Sequence, residues 1–147
     1  MTRAVNTALA GSGGVLQVVR NSTEGNSSTN STSFVDVTNL TVSITPSSAS
    51  STVLIVASGR LGNTLVGGVN PVYNQRLMRD ATELAASNLS ADSGSGGLQA
   101  KGSLAFVYRD SPATTSPTTY KIQHRSTSAS STGTCDQAWI VAMEIAG

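Results

Sequence analysis

Apolar and polar residues alternate with a period of two along most of this chain, most plainly in its last stretch, Gln137–Gly147 (QAWIVAMEIAG). Successive side chains of a strand point to opposite faces, so Trp139, Val141, Met143 and Ile145 share one side and Ala138, Ile140, Ala142 and Ala146 the other. Only Glu144 interrupts, and the segment predicts a central strand covered front and back. The bulky set Trp139, Val141, Met143 and Ile145 is expected to fill a sandwich core. The smaller-residue face, with Ile140, is expected to lie against a second surface such as another copy of the chain.

The same reading runs upstream. Val15–Arg20 alternates as a first strand, and Asn21–Ser33 is a Ser/Thr/Asn/Gly tract expected to be a long surface loop. Phe34–Val37 and Leu40–Thr45 predict strands separated by Thr38-Asn39, with Leu40, Val42 and Ile44 inward and Pro46 as the stop. Thr52–Ser58 is continuously apolar and β-branched, and a Gly-rich loop is expected over Gly59–Asn70. Val72–Leu84 has tolerable helical spacing, but an isolated helix would conflict with its surroundings, so a strand is expected over Tyr73–Arg79, followed by a loop over Ala85–Gly97. Gly102–Arg109 and Thr118–Arg125 flank the proline-held loop Asp110–Pro117. These elements predict an all-β protein: an antiparallel sandwich of about eight strands over residues 14–147, preceded by a short N-terminal arm at 1–13.

Composition narrows the classes. Charged residues make up 12% of the chain, half the usual ~25%, and the net charge is +1, so no electrostatic footprint for nucleic acid or an anionic membrane exists. No stretch approaches the roughly 20 apolar residues of a membrane-spanning helix, and the N-terminus lacks the apolar run of a secretory signal. Synthesis and use without secretion through a membrane are therefore expected. With Cys135 as its single cysteine the chain has no intrachain disulfide.

Several segments carry a family resemblance. GGVLQVV, FVDVTNLTVSITPSSASSTVLIVASG, AFVYRDSPATTSPTTYKIQ and the terminal MEIAG resemble a group of small bacteriophage virion proteins, tail-fibre and capsid-surface modules. Their trimeric jelly roll is similar to complement and tumour-necrosis-factor-like domains. The resemblance spans about residues 13–147 and rests on strand and loop patterns, with no catalytic signature. It implies a homotrimeric capsid decoration or cement protein on the virion surface, with a major capsid protein or another virion component as partner. The receptor-binding tip of a tail or head fibre, contacting host glycan or protein, is the alternative. A signalling jelly roll is a more distant third, disfavoured by the missing signal sequence. Tyr108, Tyr120, Ile122, His124 and Ile140 are the expected trimer interface. In the arm, Arg3, Val5 and Leu9 precede the Gly11-Ser12-Gly13-Gly14 hinge and are the expected attachment residues.

Candidate chemistry is sparse, and no enzyme and no cofactor is expected. A hydrolytic triad would need His124 as base with a Ser or Cys135 as nucleophile, but no nucleophile elbow is present, and a packed strand histidine is the simpler reading. One Cys and one His fall short of the four ligands of a structural zinc site. A calcium site using Asp92 or Asp136 with loop carbonyls is the metal alternative. Arg76, Arg79, Asp80 and Glu83 form a charged group that reads as either a contact patch or a solvated strand end with internal ion pairs.

Overall fold

The computed structural model describes residues 5–6, 13–64, 71–90 and 99–147. They form nine strands: β1 (Val5–Asn6), β2 (Val15–Thr29), β3 (Val35–Ile44), β4 (Thr52–Thr64), β5 (Val72–Arg79), β6 (Thr82–Ser90), β7 (Gln99–Asp110), β8 (Thr118–Ser126) and β9 (Thr132–Ile145). A larger sheet runs β1-β2-β9-β4-β7 and a smaller one β3-β8-β5-β6, with every pairing antiparallel. From β2 onward the chain pairs concentrically. β2 lies on β9, β3 on β8, β4 on β7 and β5 on β6, while β4–β9 and β5–β8 join the pairs into sheets. That winding is a jelly roll, the antiparallel sandwich that the strand pattern predicts in the form that the family resemblance implies.

The facing of the strands differs from the sequence expectation. Ala138, Ile140, Ala142 and Glu144 of β9 are buried between the sheets, whereas Trp139 is 38% exposed and Val141, Met143 and Ile145 are half-buried on the outside. Tyr120, Ile122, His124 and Ile140, expected at a trimer interface, are completely enclosed within one chain, and Tyr108 packs against the same core. The two assignments exchange places. The reason is complementarity across the β4–β9 pair, where Ile55 stands opposite Ala142 and Ala57 opposite Ile140. Large beside small leaves room for Leu40, Tyr120, Ile122 and Leu77 from the facing sheet to interdigitate. Residue size in β9 alone does not reveal this.

Three segments read as loops are strands. β2 continues to Thr29 because β9 begins at Thr132 and supplies backbone partners as far as Gly133. β4 likewise runs to Thr64, paired with β7 and β9. β6 pairs with β5 after the two-residue turn Asp80-Ala81. Asp80 there adopts a left-handed φ of 49°, and its carboxylate accepts the Thr119 N–H at 3.0 Å. Thr38-Asn39, read as a break, is a bulge inside β3 with Asn39 at φ 61°. In the arm, β1 pairs Val5 with Val18 and Asn6 with Gln17; Arg3 and Leu9 lie outside the described residues.

The buried carboxylate of Glu144 closes the core at the end where residues 13–15 enter. It accepts the Ser47 N–H at 2.7 Å, the Ser47 hydroxyl at 2.6 Å and the Gln17 amide at 2.6 Å. Burial alone would raise its pKa, but the donors from Ser47 and Gln17 outweigh it and hold the group below its ordinary value.

Candidate functional site

Cross-strand partners share a face, so the registers assemble the outer surface of the larger sheet row by row. One row reads Val18, Met143, Leu54, Arg109; the next Arg20, Val141, Val56, Val107; the third Ser22, Trp139, Ser58, Ala105. Val107 is 74% exposed and Trp139 38%, while Val18, Leu54, Val56, Val141 and Met143 are half-buried. No carboxylate stands in these rows. Arg20 and Arg109 stand at opposite margins of the patch, and Arg109 is tethered by its Nε–H to the Thr52 hydroxyl at 3.2 Å. The result is a largely apolar face with cations at its edges.

The outer surface of the smaller sheet has the opposite character. Gln123 donates to Asp36 at 2.6 Å and receives Arg76 Nε and Nη2 at 2.9 and 2.7 Å. Lys121 bridges Asp36 at 3.0 Å and Arg76 bridges Glu83 at 3.1 Å. Arg76 and Arg125 lie 3.9 and 4.7 Å from the Phe34 ring centre, so this face's aromatic ring is screened by guanidinium groups. For Asp36, partial burial is outweighed by Gln123 and Lys121, which lower its pKa. This face is polar, its charged groups paired with one another. The charged group foreseen at 76–83 is divided by the structure: Arg76 and Glu83 join this network, whereas Arg79 grips Asp110 at 2.9 and 3.0 Å. Asp110 also accepts the Tyr120 hydroxyl at 2.6 Å.

Between the sheets, the residues that would serve a nucleophilic mechanism are sealed. His124 is 1% exposed and Cys135 0%. The Tyr73 hydroxyl and His124 Nδ1 are 2.5 Å apart. Burial lowers the His124 pKa to about 4, so the ring is neutral, and raises the Cys135 thiol to about 12, with Asp136 adding to it. A thiol so rarely ionised, beyond reach of substrate, is a packed core residue. Among the described residues no group of three or more His, Cys, Asp and Glu side chains could hold a metal ion; Asp136 instead lies 3.3 Å from Arg60 Nε, and Asp92 is outside the described residues. Among the described residues no helix is long and apolar enough to cross a membrane.

A second surface feature arises where bulges align. Register shifts fall between Thr23 and Asn26 on β2 and between Ser58 and Arg60 on β4, both against the Asp136–Ala138 segment of β9. Gln137 there takes a left-handed φ of 47°. A Cβ on Gly59 would come within 2.5 Å of Ala138 Cβ, so glycine lets the strands close at this level. Beyond the bulge line the outer face becomes a polar saddle of about 440 Å³, lined by Asn26, Arg60, Gly62, Lys101, Thr134 and Asp136 among others. The sequence reading did not single out this site; its signal is the run of glycines and hydroxyl residues that interrupts the strand alternation.

No family model matches the chain, and no curated protein does. Among solved structures it is similar to one of infectious bursal disease virus, Gt strain, at 12% identity and a TM-score of 0.43, over 88% of this chain and 38% of that one. It is also similar to the VP2 subviral particle of infectious bursal disease virus, at 13% identity and a TM-score of 0.41, over 88% of this chain and 37% of that one. The chain thus spans less than two fifths of the length of these structures. A likeness this distant carries no functional conclusion.

Proposed function

We propose that this chain is a non-enzymatic structural protein of a virion surface, a homotrimer that decorates or cements a bacteriophage capsid. The observation that carries the reading is the contrast between the two outer faces of one jelly roll. The smaller sheet presents a self-satisfied polar network to water, while the larger presents Val18, Leu54, Val56, Val107, Trp139, Val141 and Met143. Closed cyclic symmetry hides such a patch on every copy at once. It also leaves Arg20 and Arg109 at the rim, so no charge has to be desolvated at the centre. The resemblance of the strand and loop segments to phage virion modules supplies the setting, and the sealed His124 and Cys135 fit a protein that does no chemistry.

The test is mass in solution together with copy number on the particle. Light scattering at micromolar concentration should give a trimer, and Val141→Glu should give a folded monomer. Quantitative analysis of purified virions should find hundreds of copies, as surface decoration requires. A wild-type monomer would overturn the trimer, and a few tens of copies would replace decoration with a fibre tip.

A further inference from the structure

The polar saddle has the features of a ligand site, and its chemistry differs from that of the apolar rows beside it. Its floor is Gly62, where a Cβ would approach the Thr134 hydroxyl to 2.5 Å; glycine keeps that hydroxyl uncovered and the strand backbone open. On one wall stands Lys101, exposed and without an acceptor among the described residues. On the other side Arg60 spends Nη1 on the Gln137 amide oxygen at 3.1 Å and Nε on Asp136 at 3.3 Å, leaving Nη2 to point elsewhere. The Asp136 side chain is 30% exposed, yet its Oδ1 is covered and makes no well-formed hydrogen bond, so that exposure falls on the rest of the group. Asn26 and Thr134 add an exposed amide and a half-buried hydroxyl.

A free ammonium, a tethered guanidinium, one spare carboxylate oxygen, an amide and a hydroxyl around a glycine floor suit a ligand rich in hydroxyls that carries one negative charge. The strained Gln137 is what aims this set, because its bulge brings Asp136 and Gln137 together onto the Arg60 guanidinium. The saddle also lies at the end of the sheet where Thr29, Asn63 and Ala100 align with Gly133 or with one another. That end is opposite to where Gly13 and Gly14 bond Ala146.

We propose that the saddle binds an acidic saccharide, its carboxylate set against Lys101 and Arg60 and its hydroxyls against Asn26, Thr134 and Asp136. The assignment needs neither the trimer nor attachment to a capsid, and it is tested on the whole protein in whichever oligomeric state it holds. The probes are methyl glucuronide, methyl glucoside and sodium acetate, titrated by calorimetry and by amide chemical-shift perturbation. Methyl glucuronide should bind roughly fivefold or more tightly than either the uncharged sugar or the bare carboxylate. Its shifts should cluster at Asn26, Gly62, Lys101 and Thr134. Lys101→Ala should erase the preference for the acidic sugar, and Asn26→Ala should weaken both sugars alike. Lys121→Ala, on the opposite face, should change nothing. Equal binding of acetate and glucuronide would reduce the saddle to an anion site and overturn the saccharide. No binding at tens of millimolar, or shifts clustered on the smaller sheet, would overturn the site itself.

Discussion

His124 and Glu144 show what a single buried group contributes. Both have folded-state pKa values below their ordinary ones, for different reasons: His124 has lost water, whereas Glu144 is more than compensated by Ser47 and Gln17. Below pH 6.5 an unfolded chain protonates its histidine, while folded His124 stays neutral down to about pH 4. The unfolded state therefore binds more protons in that window, and stability falls with pH across it, by ~3 kcal/mol in full. Chemical denaturation between pH 7 and 4 should show this decline, and His124→Phe should flatten it, whatever the baseline loss from stranding the Tyr73 hydroxyl. Glu144 acts lower. Its stabilisation is present above the ordinary carboxylate value of 4.5 and is lost as pH falls below it through the depressed folded value. Glu144→Gln should lower stability at neutral pH by about 1–3 kcal/mol and remove the steepest acid limb. A variant with an unchanged acid limb would show that another carboxylate carries it.

Strand alternation was legible in the sequence wherever β-branched and aromatic residues dominate, as in Thr52–Ser58 and Thr118–Arg125. It was illegible where pairing overrides propensity. β6 (TELAASNLS) is built from Ala, Ser and Asn and forms a strand because β5 offers it a hydrogen-bonding edge. The tract after Arg20 is polar on both faces: Thr23, Ser27 and Thr29 are buried, while Asn26 is exposed and lines the saddle. The core-facing parity of β9 could not be read from that strand alone, since both of its faces are apolar; only the Ile55–Ala142 and Ala57–Ile140 pairs decide it. Gly133 is the element-scale test of the resulting packing. A Cβ at that position would fall within 2.1 Å of the Tyr73 ring, deep between the sheets. Gly133→Ala should lower the denaturation midpoint by the equivalent of ~1–3 kcal/mol, the usual range for overpacking. An unaltered midpoint would place Tyr73 elsewhere.

At the scale of the whole molecule, the jelly roll encloses one core and leaves two unlike outer faces, and the single tryptophan reports on which of them is covered. Trp139 is 38% exposed in one chain, whereas its neighbour Ile140 is fully buried. Large-to-small replacement in a core typically costs about 2–5 kcal/mol, because a cavity remains after the lost transfer energy. Ile140→Ala should therefore destabilise the fold by that amount in any oligomeric state. Trp139→Ala should behave differently: an exposed side chain leaves no cavity, so the isolated subunit should melt within about 0.5 kcal/mol of wild type. The same change removes the one large aromatic side chain of the three rows, the residue type in which interface energy concentrates. It should weaken self-association by roughly tenfold or more, about 1.4 kcal/mol or above. Fluorescence gives an independent reading from the unaltered protein, whose tryptophan emission should shift to the red and become more accessible to acrylamide on dilution through the dissociation range. Loss of fold stability in Trp139→Ala would return Trp139 to the core. A concentration-independent spectrum together with an unchanged assembly would move the interface off this face.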